Sequence, residues 1–306
     1  MIDLATEVNT YLSMRRSLGF KLADADTALA DFVVFLQRHG SDHITTDLAV
    51  AWAIEPAHTD RVWWRQRLGF VRGFAQYLQH LDPRTQVPSP DLIPAHQNRT
   101  APYLYSQEEI VALMEATASL NPPLRAATYQ TFLGLIAVTG LRRGEALALD
   151  RDDIDPDQRL LVVSDYRGHR QVPLHDSTIA AVQHYCDYVD EHFPVAVSRA
   201  LFISTRGTRL NKNSVTATFP GLIDAAGLAG RGARPRPRIH DLRHSYAVRQ
   251  LIEWHTQQVD VDARIPLLSA VLGHRDPAST YWYLQAAPEL FTLVAQHLES
   301  SQGDLS

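Results

Sequence analysis

The chain has 306 residues, 45% of them apolar and 21% charged, with a formal net charge of −5 at pH 7, which is enough length and apolar content for two soluble domains with separate cores. Nowhere do about eighteen apolar residues run together, which excludes a spanning helix, and the start Met1-Ile2-Asp3-Leu4-Ala5-Thr6-Glu7 lacks the basic lead and apolar core of a secretory signal. The single cysteine, Cys186, excludes an internal disulfide and fits a reducing cytoplasm, with Cys186 as a small packed residue on a helix.

Residues 3–81 read as four helices, Leu4–Leu18, Ala23–Arg38, Thr46–Ile54 and Thr59–Leu81, with apolar positions at three- and four-residue spacing. On the fourth, Arg61, Arg65 and Arg72 form a narrow stripe broadly opposite Trp64, Val71, Phe74 and Leu78. Such a helix buries one side and offers the other to phosphates; a solvated charged face is the plainer explanation. The overall negative charge weighs against nucleic acid, although a local positive surface suffices for binding.

Residues 82–104 read as a linker, since Pro83, Pro88, Pro90 and Pro94 stand among polar residues and periodicity vanishes. A second domain, 105–306, opens with Ser106 capping a helix and Glu109 reaching back to it. Helices are predicted over Ser106–Ala118 and Leu124–Thr139, and Gly140 ends the latter. Short strands follow, Leu160–Ser164 and Gln171–Leu174, around the cation-rich tip Asp165-Tyr166-Arg167-Gly168-His169-Arg170. A helix over Ser177–His192, a strand over Leu201–Ser204 and a helix near Asn213–Ala226 come next. The stiff basic segment 231–238 carries Arg231, Arg234, Arg236 and Arg238; a solvated loop would explain the charges, but four arginines delivered beside a polar cluster also suit phosphate. The remaining helices are His240–Glu253, Ala263–Leu272 and an amphipathic one over Pro288–Leu298. The fold class is therefore α+β and mostly helical: an all-α N-terminal domain plus a mixed domain with a small antiparallel sheet.

Three polar clusters sit among these apolar helices: Thr139-Gly140-Leu141-Arg142-Arg143-Gly144-Glu145, His240-Asp241-Leu242-Arg243-His244, and Leu272-Gly273-His274 leading to Tyr281 and Tyr283. Arginines, histidines and tyrosines without a carboxylate pair suit an anionic ester attacked by a phenol. A phosphodiester requires positive groups on its non-bridging oxygens, and planar guanidinium groups supply two parallel hydrogen bonds each. Arg142 and Arg243 are the candidate pair; an ion pair of Arg142 with Glu145 is the structural alternative. The phenol must lose a proton as it attacks, and His240 and His274 are the candidate acceptors. Tyr281 and Tyr283 point about 200° apart on a helix, so only one can face the site, and Tyr246 is a further phenol.

Thr139-Gly140-Leu141-Arg142 with Glu145, His240 with Arg243, and Leu272-Gly273-His274 with a tyrosine nine residues past the histidine together resemble the tyrosine recombinase, or phage integrase, family. That resemblance covers essentially the whole chain, and it makes 1–81 a core-binding domain and 105–306 a catalytic domain. It implies that Arg142 and Arg243 bind the scissile phosphate, that His240 exchanges the proton, and that His274 bonds the phosphate or orients the nucleophile. Glu145 and His244 then support the site, while Tyr283 attacks phosphorus to give a 3′-phosphotyrosine link. No cofactor or metal is implied. The implied partners are double-stranded DNA, three further copies of the chain in a homotetramer on two duplexes, and accessory recombinases or DNA-bending proteins; helix 288–298 either closes on its own domain as an ordinary core helix or, as the resemblance implies, docks on a neighbour.

The chain departs from the family at the hairpin tip, where a lysine is usual. Its only lysines are Lys21 and Lys212. Arg167 stands nearest that position, but arginine holds its proton too tightly to be a good acid, so His169 or water is the expected donor. Two competing functions remain open: a non-cutting DNA-binding accessory protein of recombinase descent, supported by the missing lysine, and a zinc hydrolase using His240 and His244, four apart on a helix. Integration, excision or transposition of a mobile element is the expected task of a cutting enzyme.

Overall fold

The computed structural model describes residues 2–281 apart from 21, 58, 96–101, 166–167, 196–197, 231–235, 275 and 277–279. Tyr283, Arg167, Arg231, Arg234 and the expected helix 288–298 lie outside the described residues. The chain divides into two compact units, Met1–Arg99 and Thr100–Ser306.

The first unit is a bundle of four helices: α1 (Leu4–Ser17), α2 (Ala23–Arg38), α3 (Thr46–Ile54) and α4 (Arg61–Leu78). Asp3, Thr45 and Asp60 cap α1, α3 and α4 by accepting from backbone N–H groups that a helix start leaves unpaired. Asp60 starts α4 two residues later than the apolar spacing suggests. The core collects Leu12, Leu29, Phe32, Leu36, Trp52, Leu68, Val71, Phe74 and Leu78, all buried. Burying side chains of this size stabilises by about 1.5–3 kcal/mol each before entropy is counted.

Part of the expected linker packs on this unit. Asp82 and Thr85 are buried, Ile93 joins the core, and Gln86 N–H donates to the Ile44 carbonyl at 2.8 Å. Pro83 stands inside a turn closed by the Thr85 N–H on the Asp82 carbonyl at 3.0 Å, and the prolines of this stretch do not prevent an apolar residue from reaching the bundle core.

The second unit holds α5 (Gln107–Ala116), α6 (Pro123–Thr139), α7 (Arg143–Ala148), β1 (Ile154–Asp155), β2 (Leu160–Asp165), β3 (Gly168–Pro173), α8 (Asp176–His192), α9 (Lys212–Ala225), α10 (Ile239–Thr256) and α11 (Val261–Leu272). The reciprocal Ser106–Glu109 cap forms as expected. Nearly apolar α6 is central, packing against α5, α8 and α10 with Phe132, Leu133 and Ile136 buried. The three strands form one antiparallel sheet in the order β1-β2-β3, so the mostly helical α+β reading is correct.

Two strand expectations change. β3 begins three residues earlier than expected and pairs His169 with Ser164 and Arg170 with Val163, so both residues belong to the ladder rather than to the tip. The expected strand Leu201–Ser204 is instead a buried irregular run with isolated bridges Asp150–Ala200 and Ile203–Arg209. A short apolar run fits either structure.

Candidate active site

Gly140 ends α6 with φ 65°, and a Cβ there would lie 2.5 Å from the Tyr246 ring and 2.8 Å from Leu272. Glycine is therefore required both for the left-handed turn and for the close approach of α10 and α11. The turn delivers Arg142 as the residue that precedes α7. Its N–H donates to Glu145 Oε2 at 2.8 Å, its Nη1 to Oε1 of the same carboxylate at 2.7 Å, and its Nη2 to the Gly273 carbonyl at 2.8 Å. Both the ion pair expected as a structural alternative and a link to the third cluster are present.

Arg243, one turn into α10, is 1% exposed. Its Nη1 donates to the Gly140 carbonyl at 2.7 Å and its Nη2 to the Leu272 carbonyl at 2.6 Å. A third guanidinium, that of Arg170 on β3, donates through Nε to the Val271 carbonyl at 2.8 Å. Its Nη1 and Nη2 reach the Glu145 carboxylate at 3.1 and 2.7 Å. Three segments remote in sequence thus hold the consecutive carbonyls of Val271, Leu272 and Gly273. A helix end supplies such a target because its last carbonyls have no intrahelical donor and carry the negative end of the helix dipole.

Of these four side chains, three are cations and one is an anion. Burial alone would raise the Glu145 carboxyl, but hydrogen bonds from Arg170 and from the Arg142 backbone outweigh it and hold the group below the usual carboxylate range. The excess positive charge favours an anion beside Arg142.

The histidines join this cluster. His240 and His244 occupy successive turns of α10 with ring centroids 4.6 Å apart, edge to face. His274 follows the left-handed Gly273, and its Nδ1 lies 2.7 Å from Thr280 Oγ1, which is 2.5 Å from Ser269 Oγ. Thr280 is fully buried, so this contact fixes the ring. Burial, then the Arg243 guanidinium, lowers His240 from the ordinary imidazole value. Burial and the Arg243 and Arg142 charges bring His274 down to about 4, and burial with His240 and Arg243 brings His244 down to about 3. The His244 and His274 imidazoles are therefore neutral near pH 7.

Arg142, His240, Arg243 and His274, with Glu145 and His244, are thus brought together. Arg142 and His240 also line a cleft of about 770 Å³ with Arg143, Thr216, Pro220, Arg236 and Arg238. Within it Arg238 is committed to the buried Asp241, through Nη2 at 3.0 Å and Nε at 3.2 Å, and Arg236 lies 3.7 Å from Asp224. His169 is exposed, with Nδ1 2.7 Å from Ser164 Oγ. Tyr281 is 43% exposed, while Tyr246 packs on Gly140 and burial raises its phenol.

Sequence reasoning missed Arg170. The sequence pattern alone places it in the loop tip, yet it stands two residues before the buried Val172 and so shares the inward face of β3. In the first unit, Arg61 and Arg65 are exposed and Arg72 half-buried, and Arg65 Nη1 donates to the Ala95 carbonyl at 3.0 Å. Among the described residues no trio of His, Cys, Asp or Glu is placed to hold a metal ion, and no helix is long and apolar enough to cross a membrane.

The phage integrase family model matches residues 104–289. The Sinorhizobium fredii protein named integrase/recombinase y4rB is 40% identical over 300 residues, which cover 95% of this chain and 96% of that protein. Tyrosine recombinase XerC of Alcanivorax borkumensis is 28% identical over 220 residues, 72% of this chain and 67% of its own. Among solved structures, the XerH site-specific recombinase bound to palindromic difH substrate in a post-cleavage complex shares the fold with a TM-score of 0.64, at 18% identity over 89% of this chain and 78% of that one.

Proposed function

The chain belongs to the phage integrase family and is a tyrosine-type site-specific recombinase; from that premise we propose that it cuts and rejoins duplex DNA through a 3′-phosphotyrosine link made by Tyr283. The observation that carries this reading is the arginine cluster on the 271–273 turn. It supplies excess positive charge beside neutral imidazoles, on the segment that leads to Tyr283.

In the forward step the Tyr283 oxygen forms a bond to phosphorus and gives its proton to His240, while the bond from phosphorus to the 5′-oxygen breaks. Arg142 and Arg243 stabilise charge on the non-bridging oxygens as it develops. The departing 5′-oxygen takes a proton from His169 or water, with Arg167 beside it as a stabilising cation. Attack by a 5′-hydroxyl reverses the step, and the ester energy is conserved, so no cofactor takes part. His274 orients the phosphate or the nucleophile.

The functional assembly is a homotetramer on two duplexes, joined by segment 288–298, acting in the cytoplasm with accessory recombinases or DNA-bending proteins. Arg61, Arg65, Arg72, Arg234, Arg236 and Arg238 contact DNA backbone, which positions the protein without reading sequence. Its task is integration, excision or transposition of a mobile element.

The test is covalent adduct formation with DNA taken from around the chain's own gene. Wild type and Tyr281→Phe form a denaturation-resistant adduct, and Tyr283→Phe does not. An adduct that survives in Tyr283→Phe removes the assignment, and a wild type that binds DNA but never forms one favours the non-cutting accessory protein.

A further inference from the structure

Arg170 is the most constrained group in the site that the reaction above does not use. Its side chain is 15% exposed, yet all three of its guanidinium nitrogens are engaged, two on the Glu145 carboxylate and one on the Val271 carbonyl. Glu145 in turn receives both the backbone N–H and Nη1 of Arg142. A second observation is independent of these bonds: a Cβ on Gly273 would lie 2.9–3.1 Å from Arg170 Nη1, Cζ and Nε. The guanidinium therefore lies flat beneath the turn from which His274 projects.

We propose that Arg170 is a positioning residue for strand cleavage, setting the Arg142 guanidinium through Glu145 and fixing the His274 turn through the Val271 carbonyl. The inference rests on the recombinase reading above. Arg170 does not touch the reacting atoms. It also couples the hairpin to the phosphate site, because β3 carries it and a shift of the strand moves Glu145 and the 271–273 turn together. Lysine cannot replace it fully, since one ammonium cannot grip a carboxylate edge and reach a carbonyl on the other side in the fixed geometry of the guanidinium fork.

The consequence is kinetic. With Arg170→Gln, burial is opposed by Arg142 alone, and the Glu145 carboxyl titrates at a higher pH than in wild type. Glu145 must be ionised to hold Arg142, so the acid limb of the cleavage rate moves upward in pH.

The experiment measures DNA affinity, melting temperature and single-turnover adduct formation against pH for the full chain, Arg170→Gln and Arg170→Lys, using the same flanking DNA. We expect affinity within about threefold of wild type and adduct formation slowed about 100-fold, the scale for a misplaced group. We also expect an acid limb shifted upward in Arg170→Gln and partly restored in Arg170→Lys, which retains a cation. An unchanged rate and acid limb in either folded variant overturns the proposal. So does a loss of rate that only parallels lost affinity and melting in both variants, since that is a structural role. If wild type itself forms no adduct, the recombinase reading fails and this inference fails with it; an adduct in wild type isolates the test to Arg170.

Discussion

Arg243 donates from Nη2 to the Leu272 carbonyl at 2.6 Å while its side chain is almost wholly buried. One guanidinium thus ties α10 to the last turn of α11, and its other contact, on the Gly140 carbonyl, ties both to the end of α6. Arg243→Ala leaves two buried carbonyls without this donor as well as a cavity, and should cost about 2–4 kcal/mol of stability along with all cleavage. Arg243→Lys should melt closer to wild type but still lose at least about 100-fold in adduct rate, as one ammonium cannot fork between two carbonyls and a phosphate. Calorimetry and single-turnover adduct assays check both.

The histidine cluster predicts a direction for the pH dependence of stability. Folding depresses His274 to about 4 and His244 to about 3, and His240 also moves down. The unfolded chain binds protons at these groups near the ordinary imidazole value of about 6.5, and the folded chain does not. Stability is therefore full above about pH 6.5 and declines as pH falls toward 4, because protonation favours the unfolded chain. His244→Asn should flatten that decline, seen as a smaller drop in melting temperature between pH 7 and 5.

A phosphate placed among these groups reverses part of the effect. Its negative charge favours imidazolium, so binding duplex DNA near pH 6 should take up protons and tighten as pH falls. Calorimetric titrations in buffers of different ionisation enthalpy measure the uptake directly. Phosphate contact is independent of sequence, so a generic duplex serves. Arg142→Ala should reduce the uptake, because the phosphate then sits less firmly beside His240 and His274.

Much of the fold was legible because apolar spacing and capping residues agree. Helices α2 and α3 occupy the spans that spacing alone predicts, and Ser106 with Glu109 announced α5. Two-residue β1 was not legible, since no period can be read in two residues. Leu201–Ser204 is apolar because it is buried, not because it pairs along a strand. Within the site, the glycine turns at Gly140 and Gly273 and the two arginines of the motifs stood out as polar breaks in apolar helices. Arg170 did not, because its function depends on which face of β3 it occupies, and an error of three residues in the strand start hid that face.

The first unit contains a buried cation whose loss should be felt locally. Arg67 stacks 3.8 Å from the centre of the Trp52 ring, donates to the Trp52 carbonyl at 2.9 Å and pairs with Asp31 at 3.5 Å. Arg67→Ala removes the cation–π contact and a hydrogen bond together, for about 2–3 kcal/mol. Tryptophan fluorescence should report the change in the first unit. The adduct rate per DNA-bound molecule should hold, because Arg67 belongs to the first unit and the proposed reacting groups belong to the second.

Gly273 and Gly144 make a matched pair for testing how much the site depends on one turn. Gly273 has φ 65° and a Cβ there meets the Arg170 guanidinium, whereas nothing lies within 4 Å of a Cβ on Gly144. Gly273→Ala should cost about 1–2 kcal/mol for the left-handed backbone, and more for the displaced guanidinium. Its cleavage rate should fall further than its stability, as Arg170, Glu145 and Arg142 shift in turn. Gly144→Ala should gain slightly, since alanine favours the short α7 helix, by about 0.5–1 kcal/mol. Equal cleavage by the two folded variants would show that the 271–273 turn does not hold the arginines in their working positions.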